Sequence, residues 1–577
     1  NWVVDGNKTA NGKPILCNDP HLIIMSPGIF YEMQLSCKSP VEINVHGVTF
    51  PGLPVILIGF NEDIAWGITS FGSDASVDYY YETCNDSHYY FNGSWRELEI
   101  QHEVIKKRGG GTYEFDIRKT LHGPIISDFK ALDGLLDGLL GGESSSQTSE
   151  SAVNISMRWI ALEDTDKNVM TCMLGINTAS NLTEFMDAIE QWTVPPQNLV
   201  YADVEGNIGM FVPGLHPTRE KEGDYNPKLY TGRFVQPGNG SGEEWYGFIP
   251  FEHIPHSINP NQSYLASANQ RTIFSEDYNY SVGSSWTENY RGRSINRLLN
   301  NTYNITREMM GAFQADIYDV AAAGFIPPLL EVLGSASLSG DANLAYKELL
   351  TWNSSQFAYE MRKEWIAPTI FEAYLSSLQD ATWKDEWEAS GATGFGYPSN
   401  QYLEYITREN ISSPWFDDVS TLPVENGNDT MLVAFKASVQ YLSDNIGNLT
   451  SDRNPWLWGN NHKLMAASLL NLLGLLLGDD VGIPYDGSGR TLDNSPGVLE
   501  FPYIVAGGPA WRQIVDMSQP ENVLTVLPMG NSGNMLSTHW DDQLSLFVNN
   551  QYKKPCRAAN ASDFVGIIET RVYFSPI

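Results

Sequence analysis

Four stretches carry the side chains that could do chemistry. Asn18-Asp19-Pro20-His21 ends an apolar run, which places His21 at a strand edge or in a loop. An imidazole there can exchange a proton near neutral pH or make only a structural hydrogen bond, and the residue alone decides neither. Trp66-Gly67-Ile68-Thr69-Ser70-Phe71-Gly72 contains small residues that would let a backbone approach a ligand closely. Tyr264 to Arg271 (YLASANQR) sets the amide of Asn269 at a strand end, where it could donate to an oxyanion or cap a turn. Glu288 to Arg293 (ENYRGR) puts two guanidinium groups beside an aromatic ring, suited to holding a carboxylate, to ordering a site by bidentate bonds or to forming a surface basic pair.

Several hydrolase signatures are missing. There is no G-x-S-x-G elbow, no H-E-x-x-H metal helix and no G-x-x-x-x-G-K-[ST] phosphate loop. An ordinary serine peptidase would need a Ser-His-Asp set, and no exposed-serine turn provides one. Five cysteines (Cys17, Cys37, Cys84, Cys172, Cys556) are too few for a disulfide scaffold and include no C-x-x-C spacing. A formal charge of −34 repels phosphate backbones and argues against a nucleic-acid partner. No apolar run reaches the ~18 residues of a membrane helix; Leu464 to Leu477, interrupted by Ser468, Asn471 and Gly474, reads as a buried helix.

The elements that must position these residues alternate in character along the chain. Short strands and turns fill the first seventy residues: Val3-Val4, Pro14 to Cys17, Val55 to Gly59 and Ile64 to Gly67. Alternation continues through Ser76 to Tyr81 and from Tyr201 to Phe211. Helical spacing marks Met309 to Leu333, Leu344 to Trp352 and Trp365 to Leu378, with Pro327-Pro328 expected to break the first into two pieces. Strand signals return from Val498, so an α+β fold built around a sheet core is expected. Residues 1–300, 301–480 and 481–577 divide as core, mainly helical region and completing strands. Asp133 to Ser151 is Gly/Ser-rich and reads as a surface loop.

Laid end to end, the segments resemble the β-chain of the penicillin acylase family of N-terminal-nucleophile hydrolases. The matching stretches are NWVVDGNKTANGKPILCNDPHL, FPGLPVILIGFNEDIAWGITS, YADVEGNIG, YLASANQ, NYRGRSINRLL, YDGSGRTLDN and GNSGNMLSTHWDDQL, in the family's order. The resemblance implies a four-layer αββα sandwich with a helical insertion, no required cofactor, and a small α-subunit cut from the same precursor. It implies hydrolysis of a linear amide on a small-molecule N-acyl substrate such as a penicillin, a cephalosporin side chain or an acyl-homoserine lactone. The nucleophile would be an amino-terminal residue whose own α-amino group, of ordinary pKa about 8, accepts the hydroxyl proton. By position, His21 would orient that group, Ser70 would offer its backbone N–H and Asn269 its side-chain N–H to the oxyanion, and Arg291 would organise the nucleophile's end.

One departure stands out. The family begins Ser-Asn-x-Trp, whereas this chain begins Asn1-Trp2, which puts the expected nucleophile two residues before Asn1. Either two further residues belong ahead of Asn1, or they remain on another chain of a processed polypeptide, or this is a relative without turnover that kept a structural or binding role. Some family members bind calcium, and Asp74 and Asp78 fall in the corresponding region, with Tyr280 where a further carboxylate would stand. Sequons at Asn7, Asn85, Asn92, Asn154, Asn181, Asn239, Asn261, Asn279, Asn300, Asn304, Asn353, Asn410, Asn428, Asn448 and Asn560 point to glycosylation in a eukaryotic secretory route, hence a secreted or lumenal protein.

Overall fold

The computed structural model describes residues 1–38, 42–72, 76–129, 153–221, 226, 229–273, 278–392, 396–465, 467–468, 482–497 and 502–555. Two antiparallel sheets form its centre. The smaller contains β1 (Trp2–Val4), β2 (Ile15–Asn18), β11 (Tyr264–Ala266), β13 (Arg512–Asp516) and β14 (Leu524–Val526), in the order β11-β1-β2-β13-β14. The larger runs β10-β9-β8-β7-β6-β5-β4. Its strands are β4 (Tyr31–Cys37), β5 (Ile43–Thr49), β6 (Ile58–Phe60), β7 (Ile64–Ser70), β8 (Gln197–Asp203), β9 (Ile208–Phe211) and β10 (His256–Ile258). The expected strands at Val3-Val4, Pro14 to Cys17, Ile64 to Gly67 and Tyr201 to Phe211 all lie in these sheets.

Period-two alternation decides what each sheet packs against. The register Trp2↔Cys17, Val3↔Leu16, Val4↔Ile15 sends Val3 and Leu16 to one face and their neighbours to the other. Val3, Leu16, Leu265 and Val515 meet Phe60, Ala65, Val200, Ala202, Ile208 and Met210, so the two sheets share one apolar layer. Each fully buried Val, Leu or Ile there contributes about 1.5–3 kcal/mol. Behind the smaller sheet, Trp2, Val4, Ile15 and Tyr264 pack on α3 (Tyr290–Asn301) and α4 (Arg307–Gln314) through Ile295, Leu299 and Met310. Behind the larger sheet, Ile64, Trp66, Leu199 and Tyr201 pack on α1 (Val169–Thr178) and α2 (Leu182–Ile189) through Cys172, Ile176, Phe185 and Ile189. Asn168 and Asn181 cap these two helices by accepting from backbone N–H groups of the first turn.

The helical segment has its own core. Helices α5 (Val320–Ser335), α6 (Gly340–Ser354), α7 (Ala367–Ser390), α8 (Asn400–Glu409) and α9 (Gly427–Ile446) bury Phe325, Leu329, Trp352, Phe371, Trp383, Leu403 and Phe435 together. The expected break at Pro327-Pro328 does not occur: α5 runs through both prolines. Two interior prolines cost a helix about 3 kcal/mol or more each. Here Ala321, Ala322, Phe325, Ile326, Leu329 and Leu333 are all buried, and their packing outweighs the lost ladder bonds. The interruption falls earlier, where the Asp319 carboxylate accepts from the N–H groups of Ala321 and Ala322 and so starts α5 afresh. Leu464, placed in a buried helix by its apolar run, instead ends a short strand, His462–Leu464, and most of that run lies outside the described residues, as does Asp133 to Ser151.

Helix α3 is anchored at both ends. The Lys8 ammonium, just beyond β1, donates to the carbonyl of Leu299 at 2.6 Å, of Thr302 at 3.3 Å and of Asn300 at 3.4 Å. A cation at the last carbonyls of a helix satisfies its unpaired acceptors and opposes the negative end of its dipole. The other end carries Arg291.

Candidate active site

His21, Ser70, Asn269 and Arg291 come from four separate parts of the chain and line one cavity of about 430 Å³. His21 opens β3 (His21–Ile23), which pairs with β12 (Gly507–Pro509) after the chain bends at Asp19-Pro20. Ser70 is the last residue of β7. Asn269 follows β11 with φ +67°, a left-handed conformation that asparagine adopts more readily than most residues. Arg291 sits in the first turn of α3 and is 9% exposed.

Hydrogen bonds fix the relative orientation of the four. Arg291 Nη2 donates to Asn269 Oδ1 at 3.0 Å, and Asn269 Nδ2 donates to Ser70 O at 2.8 Å. A guanidinium can only donate, so it orients the amide with Oδ1 towards itself and the NH₂ group towards Ser70. One amide hydrogen is used on Ser70 O and a second remains. Ser70 O also accepts from Asn198 Nδ2 at 3.1 Å, which steadies the end of β7.

Arg291 Nη1 lies 3.1 Å from His21 Nδ1. The same donor-only argument makes Nδ1 an acceptor, places the imidazole proton on Nε2 and directs it at Asp19 Oδ2, 3.4 Å away. Burial pushes the His21 pKa down; the Asp19 hydrogen bond opposes this, the Arg291 charge adds to it, and the balance lies below the ordinary histidine value. Burial by itself would raise the Asp19 carboxyl, but the hydrogen bond from His21, with the charge of Arg512, brings it below the usual aspartate value. The site therefore holds a neutral imidazole between a carboxylate and a guanidinium.

Asn1 lies against this group. It is 4% exposed, its main-chain nitrogen donates to Ser267 O at 2.9 Å, and Thr69 Oγ1 donates to its side-chain oxygen at 3.4 Å. The remaining walls are mostly apolar, with Gln197, Thr69 and Ser267 the polar exceptions: Phe30, Phe50, Leu53, Ile68, Met173 and Trp192 are among them, and the Phe30 and Phe50 rings stack at 5.4 Å. The cavity thus has one polar end, made by the four residues with Asp19, and a mostly hydrocarbon-lined remainder.

Three expectations need correction. Gly67 does not make room for a ligand: a Cβ there would stand 2.7 Å from Asn18 Cβ, so the glycine lets the two sheets approach. In the space it leaves, Asn18 Nδ2 donates to Ile68 O at 3.2 Å and its Oδ1 accepts from Ile68 N at 3.3 Å. The two arginines of ENYRGR do not act as a pair either. Residues two apart on a helix point to opposite sides, and Arg293 leaves the cavity to donate to Glu404 at 2.9 Å. Finally, Asp78 does not fit a calcium ligand, for both its oxygens are bound at 2.8 Å by Nε and Nη2 of Arg219, with Trp245 Nε1 at 2.7 Å.

The guanidinium thus occupies the side of the Asp78 carboxylate that a metal would need, and both residues are buried. Asp74 lies outside the described residues, and Tyr280 Oη is 2.9 Å from His253 Nδ1. No group of three His, Cys, Asp or Glu among the described residues could hold a metal ion. Removing one partner of a buried ion pair strands the other, so Arg219→Met is expected to cost about 3–5 kcal/mol of unfolding free energy. Dialysis against a chelator is expected to leave the thermal midpoint where it was. A midpoint that falls on chelation and returns with calcium would restore the metal to this region.

Sequence reasoning did not single out Asp19, Thr69 or the apolar wall. Asp19 was visible inside Asn18-Asp19-Pro20-His21, but only as a turn residue. Val169, Met173 and Trp192 of the wall come from a helical segment with no motif of its own.

A family model described as penicillin amidase matches residues 1–562. The chain is 26% identical over 592 residues to an acyl-homoserine lactone acylase, QuiP, of Pseudomonas aeruginosa, covering 96% of this chain and 66% of that protein. It is 29% identical over 286 residues to the penicillin acylase 2 proenzyme of Pseudomonas sp. strain SE83, covering 48% of this chain and 32% of the other. A thermostable penicillin G acylase from Alcaligenes faecalis superposes with a TM-score of 0.70 at 21% identity, over 100% of this chain and 99% of that one, which is a likeness of fold. The chain spans about two thirds of the length of the acyl-homoserine lactone acylase it matches.

Proposed function

We propose, for a chain that belongs to the penicillin amidase family, that it forms the large subunit of an amidohydrolase that removes an apolar acyl group from the nitrogen of a small molecule. The observation that carries this reading is the convergence of Asn269, Ser70, His21 and Arg291 on the polar end of a cavity with hydrocarbon walls. In such a site the second N–H of Asn269 and the backbone N–H at Ser70 would receive the oxyanion of a tetrahedral intermediate, and the acyl chain would lie along Phe30, Leu53 and Met173. Helices on the outer faces of the two stacked sheets support the αββα architecture of the N-terminal-nucleophile hydrolases.

The nucleophile belongs two residues ahead of Asn1 in this reading. Side chains two apart on a strand share a face, so that residue would project on the same side as Asn1, whose side chain reaches Thr69 at the cavity wall. Its α-amino group would take the hydroxyl proton, with His21 kept neutral beside it. A small subunit from the same precursor is the partner this implies, in keeping with a relative described as a proenzyme. The same reading keeps the sequons as glycosylation sites on a secretory route: Asn154, Asn181 and Asn353 are half-buried, Asn560 lies outside the described residues, and the other eleven are exposed. No helix of the described residues is long and apolar enough to cross a membrane.

The test is release of primary amine by the full-length protein from a series of N-acyl substrates of increasing chain length. Each methylene that enters the apolar cavity adds ~0.8 kcal/mol, so kcat/KM is expected to climb about fourfold per CH₂ until the cavity is full. Preference for a short dicarboxylic acyl group, which the apolar wall gives no partner for, would overturn the assignment of the acyl subsite. No turnover across the whole series would favour a binding glycoprotein without catalysis.

A further inference from the structure

We infer that Asp19 is a positioning residue which, from the wall of the cavity, holds His21 in a single tautomer with its lone pair towards Arg291; this rests on the amidohydrolase reading above. The geometry is that of a chain of three side chains. Asp19 Oδ2 stands 3.4 Å from His21 Nε2, and His21 Nδ1 stands 3.1 Å from Arg291 Nη1, which also carries the Asn269 amide on its other nitrogen. Asp19 is 4% exposed, and its other oxygen lies 4.0 Å from the nitrogen of Asn1. It lines the polar end beside Asn1 and His21, and its carboxylate is turned to the His21 ring, through which it acts.

Without a carboxylate at that place the imidazole has two ways to satisfy its surroundings. A proton on Nδ1 would face the guanidinium, which offers no acceptor, and would turn Arg291 away from both His21 and Asn269. The carboxylate removes that alternative, because it can only accept and so demands the proton at Nε2. Asp19 thereby transmits order to the oxyanion amide through two intervening side chains.

The charged and titratable groups facing this pair come from every neighbouring element. They are Cys17 on β2, Arg291 on α3 and Arg512 on β13, with Tyr552 beyond them. The Arg291 guanidinium opposes protonation of His21, and the Asp19 carboxylate is the group that favours it. Removing the Asp19 charge therefore lowers the pH at which His21 protonates, and the acidic limb of the kcat profile moves to lower pH.

The experiment compares Asp19→Asn with the wild-type full-length protein on one N-acyl substrate across pH, alongside His21→Gln and the double variant. The expected result is a kcat reduced on the order of tenfold to a hundredfold with little change in KM, an acidic limb displaced downward, and no further loss when Asp19→Asn is added to His21→Gln. Asp19→Glu is expected to recover part of the activity. An unmoved acidic limb, or an equal loss from Asp19→Asn in the His21→Gln background, would overturn the inference. Thermal midpoints and the ¹⁵N shifts of the His21 ring separate loss of folding from loss of tautomer: Asp19→Asn with native Nε2–H shifts also overturns it. If the wild-type protein itself releases no amine, it is the amidohydrolase reading that fails, and the ring shifts still report on Asp19.

Discussion

Asn269→Ala is expected to lower kcat for an N-acyl substrate by about 10²–10³-fold, equivalent to ~2.7–4 kcal/mol of transition-state stabilisation, with KM little changed. The effect is large because the amide does two things at once. One hydrogen ties the end of β7 through Ser70 O at 2.8 Å, and in the proposed amidohydrolase the other would meet the oxyanion. Asn269 also stands at φ +67°, where alanine is strained, so part of the loss would come from a displaced loop. Asn269→Gly relaxes the backbone without restoring the donor, and it should remain within about tenfold of the alanine variant. Recovery of wild-type kcat in the glycine variant would show that the loop conformation matters and the amide does not.

Arg291→Met carries the second large effect. Two hydrogen bonds from a charged donor, each worth about 1.5–3 kcal/mol, disappear together, and Asn269 Oδ1 and His21 Nδ1 lose their common partner in a buried place. A fall in kcat/KM on the order of 10²-fold or more is expected, since each ~1.36 kcal/mol is tenfold in rate. Arg291→Lys should recover only part of it, because one ammonium on a flexible stem cannot span both acceptors as the planar fork does. The discriminating measurement is the comparison of the two variants with a circular-dichroism melt of each. Equal kcat/KM for Arg291→Met and wild type, with both folded, would remove Arg291 from the site.

How much of this was legible beforehand can be argued from particular residues. Val3, Leu16, Ile64 and Ile208 announced their strands by local apolar patterning, and the two-residue period was enough to place them inside. His21, Ser70, Asn269 and Arg291 could be picked from ordered motifs spread over some 270 residues of chain, because motif order survives without knowing any distance. Pro327-Pro328 misled, since the local cost of a proline says nothing about how much apolar surface a helix buries on its neighbours. Gly67 misled for a related reason: a missing side chain marks a close approach but not what approaches.

The amino-acid order alone thus determined the strand and helix classes, the family likeness and the identity of the polar residues. These depend on residue type, spacing and local conformational preference. Tertiary structure decided which of those groups touch: that Arg291 reaches both His21 and Asn269 while Arg293 turns to Glu404, that Arg219 fills the place beside Asp78, and that Asp19 backs His21. Partnership between side chains hundreds of residues apart is set by the packing of whole sheets and helices, and a directional hydrogen bond a few ångströms long cannot be read from separations along a chain.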